Sequence, residues 1–187
     1  RYKVETLANA TKFQLETEAA GAASAAKAKG FASADVAKAT GLAEAKVALK
    51  AGAHLLVHSV DDLEVDEEFL RLARGNAAVY CPTLTVFGGY ARLGRAGGAA
   101  EPPAVDDPNG CVDAETLRRV RESVSLPKTD ATRLASMDDR VAKATAMMAA
   151  NLKRVSDAGI TVAMGTDAGN PMTLHGPSIY AEMEAMQ

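Results

Sequence analysis

Short apolar runs of strand length alternate along this chain with helical stretches of about ten residues or more, and that alternation leaves few folds open. Residues 53–59 (AHLLVHS) are apolar on both faces, as a buried parallel strand is. Residues 77–87 (AAVYCPTLTVF) form a second such run, with Pro82 expected at its end or at a bulge, because proline gives no N–H to a ladder. Residues 160–164 (ITVAM) are a third strand, and residues 31–36 a short, polar fourth. Between them lie predicted helices over 12–29, 42–51, 61–74 and 130–158, the first, second and fourth each followed by a glycine stop, and a last helix around 180–187. Helix and strand in turn mean parallel βα units. Residues 88–112, rich in Gly and Pro, are too long for an ordinary connection and read as a lid or a mobile insertion.

Size and charge narrow the reading further. The chain has 187 residues, whereas a closed eightfold barrel needs about 250. The sheet is therefore an open doubly wound one, or the chain is half a barrel. It begins at Arg1 and stops at Gln187 inside a helix-like run, so a piece of something longer is expected. Lys plus Arg number 21 against 24 Asp plus Glu, a net charge of −3, which offers no electrostatic case for nucleic acid or an anionic membrane. No run approaches the roughly 18 apolar residues of a membrane span. Cys81 and Cys111 are the only cysteines; they make no disulfide scaffold and suit a reducing, cytoplasmic setting.

Three histidines are available. His54 and His58 have the i, i+4 spacing that places two ligands on one helix face, but in a strand four residues span about 13 Å. They cannot then share an ion. His58, at the strand's C-terminal end, is the site candidate, and His54, at the other end, is structural or at the surface. A strand-end histidine is itself open to two readings, a ligand or a hydrogen-bonded structural residue. Asp167, in the GTDAG of residues 165–169, is either a carboxylate brought close to a metal or substrate by flanking glycines, or a capping turn residue. Together the two carry more weight, because active sites of parallel α/β folds gather at the C-terminal ends of strands. His175 would overhang the same face, in a substrate role or at a helix start. Asp61 and Asp62 read as a helix front, Met137, Met147 and Met148 as core, and Cys81 as a small buried residue.

Residues 39–62 (ATGLAEAKVALKAGAHLLVHSVDD) resemble the strand-five to strand-six segment of amidohydrolase-superfamily enzymes, in the branch similar to imidazolonepropionases and to prolidases acting on Xaa-Pro dipeptides. Cys81-Pro-Thr-Leu-Thr-Val is similar to their strand seven. Residues 159–169 (GITVAMGTDAG), then His175-Gly and Glu182, are similar to strand eight and the helix after it. The resemblance implies that residues 1–187 are a partial hydrolase domain, the C-terminal half (strands 5–8) of a (β/α)8 TIM barrel. It implies one or two divalent metals, zinc, with His58 as the strand-six ligand. Asp167 would be both a ligand and the catalytic carboxylate that shuttles a proton from metal-activated water to the leaving amine. The implied substrate is a small-molecule cyclic amide or dipeptide, with His175 in substrate binding. Lys38 stands where the family has a strand-five histidine, and the strand-one and strand-four ligands have no counterpart here, so further ligands lie outside this chain. The alternative is a catalytically inactive half-barrel acting as an assembly or interaction module. Half a barrel exposes sheet edges and an inner face, so a homo-oligomer or completion by an N-terminal half is expected.

Overall fold

Helix α1 (Thr40–Lys50) leads into strand β1 (Leu55–Val57), which is followed by α2 (Glu67–Gly75), β2 (Val79–Cys81) and α3 (Val86–Ala96). After these come α4 (Ala114–Glu122), a 3-10 turn (Ser123–Ser125), the long α5 (Ala131–Asp157), β3 (Thr161–Val162) and α6 (Ser178–Ala185). The computed structural model describes residues 40–187, and beyond Thr40 these elements all lie in one unit, Gly41–Gln187. Lys38, the predicted helix over 12–29 and the predicted strand over 31–36 lie outside the described residues.

The three strands make one parallel sheet in the order β1-β2-β3. Leu55 pairs with Val79 and Val79 with Thr161, so the C-terminal ends of all three strands point the same way. The fold is thus mixed α/β with parallel βα units, as the alternation predicts. One face of the sheet carries Leu56, Tyr80 and Val162 into a core with Phe69, Leu49, Met148 and Val155. Tyr80 and Phe69 meet edge to face, 6.3 Å between centroids, the arrangement ring quadrupoles favour. The other face carries Leu55 and Val57, which remain 57% and 51% exposed.

Two predicted elements need correction. The helix expected over 61–74 starts only at Glu67, because Asp66 is its cap: the Asp66 side chain accepts from the Phe69 N–H at 2.9 Å. Asp62 serves another helix, its Oδ1 accepting from Leu42 N–H at 3.0 Å near the start of α1. The intervening loop is pinned by a fully buried asparagine of α5. Asn151 donates to the carbonyls of Val60 and Leu63 at 2.9 and 2.8 Å and accepts from Val65 N–H at 2.8 Å.

The strand expected over 77–87 stops at Cys81, just before Pro82, as that proline predicts, and the chain then turns at Thr83. Val86 and Phe87, strand-like by composition, begin α3 instead. What overrides their propensity is Glu182 of α6, fully buried, which accepts from Leu84 N–H (2.6 Å), Thr85 N–H (3.0 Å) and Thr85 Oγ1 (2.9 Å). A carboxylate there satisfies donors at the positive end of the helix. Helix α3 thus takes in residues 88–96 of the segment read as an insertion, and it packs on α5 where Gly94 meets Met137 and Leu134. Helix α4 is marked in the sequence by its cap, Asp113, which accepts from Thr116 N–H at 3.0 Å. No helix among the described residues is long and apolar enough to cross a membrane.

Candidate functional site

His58 follows β1 directly, Thr83 lies two residues past β2 and Asp167 five past β3, and all three have left-handed backbones, φ of 73°, 48° and 50°, as Ala77 and Met172 also do. This conformation is costly for residues with a Cβ, and such residues cluster at functional sites. The parallel register sets the His58 and Thr83 turns side by side, and Asp167 lies in the loop that leaves β3 from the same end of the sheet.

The imidazole of His58 is fixed by its neighbour: Nδ1 lies 2.9 Å from Thr83 Oγ1. With Nδ1 carrying the proton and donating to that hydroxyl, Nε2 keeps its lone pair. This is the tautomer of a histidine that ligates a metal through Nε2 while its other nitrogen is held. Thr83 is itself buried, and the turn is tied down by His58 N–H donating to Cys81 O and Ser59 N–H to Pro82 O, both at 2.9 Å. His54 plays the structural part expected of it, with Nδ1 2.6 Å from the carbonyl of Asn76 at the opposite end of the strands.

Asp167 is exposed and is held on one side. Asn170 Nδ2 donates to the Asp167 carbonyl at 3.0 Å and to its Oδ2 at 2.6 Å. Among the described residues Oδ1 accepts no hydrogen bond. Tyr90 Oη lies 2.6 Å from Asn170 Oδ1. Neither Asn170 nor Tyr90 was singled out in the sequence; the position of Asn170 three residues after Asp167 was the one available signal.

His175 lines a cleft of about 570 Å³ together with Asn170, Cys111, Arg119 and Leu126. Gly169 lies beside His175, and a Cβ there would be in ordinary van der Waals contact with its Nε2 at 3.6 Å. The cleft therefore begins where the Asp167 turn ends. Cys81 points along the exposed face of the sheet toward β3, where a Cβ on Gly165 would stand 2.5 Å from its Sγ. Burial, with Glu182 nearby, pushes its thiol pKa up, so it stays protonated and packs as a small residue.

Two strand spacings separate β1 from β3, about 10 Å. His58 and Asp167 share one end of the sheet without sharing a hydrogen bond. Among the described residues no three His, Cys, Asp or Glu side chains converge on a point that could hold an ion. The donor types suit zinc, but three or four protein ligands are needed, so the described residues do not form a complete metal site. Comparison with protein-family models, curated proteins and solved structures finds no match to this chain.

Proposed function

We propose that this chain is the C-terminal half of an amidohydrolase-type barrel that hydrolyses a C–N bond in a cyclic amide or an Xaa-Pro dipeptide. The observation that carries the reading is the row of left-handed turns at His58, Thr83 and Asp167 beyond three parallel strands. Asp167, with Oδ2 held and Oδ1 open, takes the proton from the attacking water and returns it to the departing amine. His58 and Asp167 are the donors this chain offers to a divalent ion, zinc, with the remaining ligands outside the described residues. His175 and its cleft take the part of the substrate beyond the scissile bond.

The test combines metal content by elemental mass spectrometry with hydrolysis of a panel of Xaa-Pro dipeptides and cyclic amides. The expected result is bound zinc that is lost in His58→Ala and Asp167→Ala, and hydrolysis that falls at least about a hundredfold in Asp167→Asn. Hydrolysis undiminished by Asp167→Asn would overturn the reading.

A second reading, an inactive assembly module, is favoured by one feature. Leu55 and Val57 expose an apolar face on β1, which among the described residues pairs only with β2. Concentration-dependent association without zinc or hydrolysis would select it.

A further inference from the structure

Helix α3 approaches the loop after Asp167 more closely than a side chain would permit. A Cβ on Gly89 would lie 2.3 Å from the carbonyl oxygen of Pro171 and 2.8 Å from Thr173 Oγ1. With nothing there, the next residue, Tyr90, reaches Asn170 Oδ1 at 2.6 Å. Asn170 in turn grips Asp167 at two atoms, the carbonyl and Oδ2.

Donor and acceptor roles along this line follow from the chemistry. Both Asp167 oxygens only accept, so the Asn170 atom facing them is the NH2 and the one facing Tyr90 is the carbonyl oxygen. Tyr90 Oη must then donate. The line therefore runs one way, hydroxyl to amide to carboxylate, and it ends on Oδ2, leaving Oδ1 without a hydrogen bond among the described residues. The grip on the Asp167 carbonyl also fastens a left-handed turn that is unfavourable without support.

We propose that Tyr90 and Asn170 are positioning residues for Asp167: they fix which carboxylate oxygen faces the reacting group and hold the turn that presents it. The proposal deepens the hydrolase reading and rests on it for its catalytic consequence. It also gives α3 a part in the site, although the helix follows a different strand.

The test has two arms, both on the full chain. In the first, exchange of the Asn170 side-chain amide protons with water is followed by NMR, with Asn170→Ala identifying the signals. In wild type the protons exchange slowly, and Tyr90→Phe and Asp167→Ala each speed exchange several-fold. Exchange unchanged by both variants would overturn the chain of contacts. In the second arm, kcat and KM are measured on the Xaa-Pro dipeptides and cyclic amides. Asn170→Ala lowers kcat about ten- to hundredfold with little change in KM, Tyr90→Phe lowers it less, and Asn170→Gln does not restore it. If Asp167→Asn abolishes hydrolysis while Asn170→Ala and Tyr90→Phe leave kcat within about twofold, the positioning role is wrong. If Asp167→Asn has no effect while the exchange coupling is present, it is the hydrolase reading that falls, taking the catalytic consequence with it.

Discussion

Thr83 Oγ1 and His58 Nδ1 lie 2.9 Å apart across the ends of two neighbouring strands, 25 residues apart in sequence. Both residues have left-handed backbones, so the contact joins two turns that each need outside support. A threonine hydroxyl both donates and accepts, so the contact orients the imidazole and, where Nδ1 carries the proton, leaves Nε2 for a ligand. Thr83→Val keeps the side-chain shape and removes the partner. On the proposed hydrolase reading, zinc affinity measured by competition with a chelator falls about ten- to hundredfold in that variant, and Thr83→Ser retains it.

Asn151 satisfies three backbone groups of the 60–65 loop from the C-terminal third of α5. Its removal leaves the Val65 N–H and the Val60 carbonyl buried without this partner. Asn151→Ala is expected to cost about 2–3 kcal/mol in urea unfolding, and Asn151→Leu to fare no better despite its bulk. A loss below about 0.5 kcal/mol would mean that water replaces the amide.

Glu182 joins α6 to the start of α3 through three hydrogen bonds. Glu182→Gln presents one acceptor oxygen and an NH2 to a cluster of donors, so it should destabilise by about 2–3 kcal/mol. The loss should appear first as faster amide exchange in α3, before the sheet is affected, which hydrogen-exchange mass spectrometry would resolve.

Lys46 bridges Asp66 and Glu68, tying α1 to the start of α2. Its hydrogen bonds to Asp66 and then Glu68 raise its pKa; the same bond from Lys46 lowers that of Asp66, and those from Lys50 and then Lys46 lower that of Glu68. A depressed carboxyl adds stability above its unfolded value, near 4, and loses it as pH falls through the lower folded value. A raised ammonium adds stability below about 10.4 and loses it as pH rises through the higher folded value. The difference in Tm between wild type and Lys46→Met should thus be flat from about pH 5 to 10, close at both extremes, and shrink with salt. A difference independent of pH would assign the effect to packing of the lysine stem.

Much of this architecture was legible because it is local. The strand runs, the glycine after α5 and Pro82 at the end of β2 mark their elements by chemistry within a few residues. What the sequence hid came from far along the chain. Glu182 begins a helix 98 residues upstream, where Val86 and Phe87 argue for a strand. Asn151 pins, from 86 to 91 residues away, the loop that precedes the Asp66 cap. The same holds at the site. His58 and Asp167 are marked by their places after strands and Asn170 by its spacing from Asp167, but Thr83 and Tyr90 become visible only when distant segments meet.

The row of left-handed residues has a consequence for how this protein would respond to selection. Glycine adopts that backbone freely, so at His58, Thr83 and Asp167 it would relieve about 1 kcal/mol or more at each position. The side chains lost would be the ones that give the strand ends their chemistry. A library selected only for heat resistance should therefore accumulate glycine or asparagine at these positions, as at Ala77 and Met172, which share the backbone, and lose the strand-end chemistry while the buried face around Tyr80 stays unchanged.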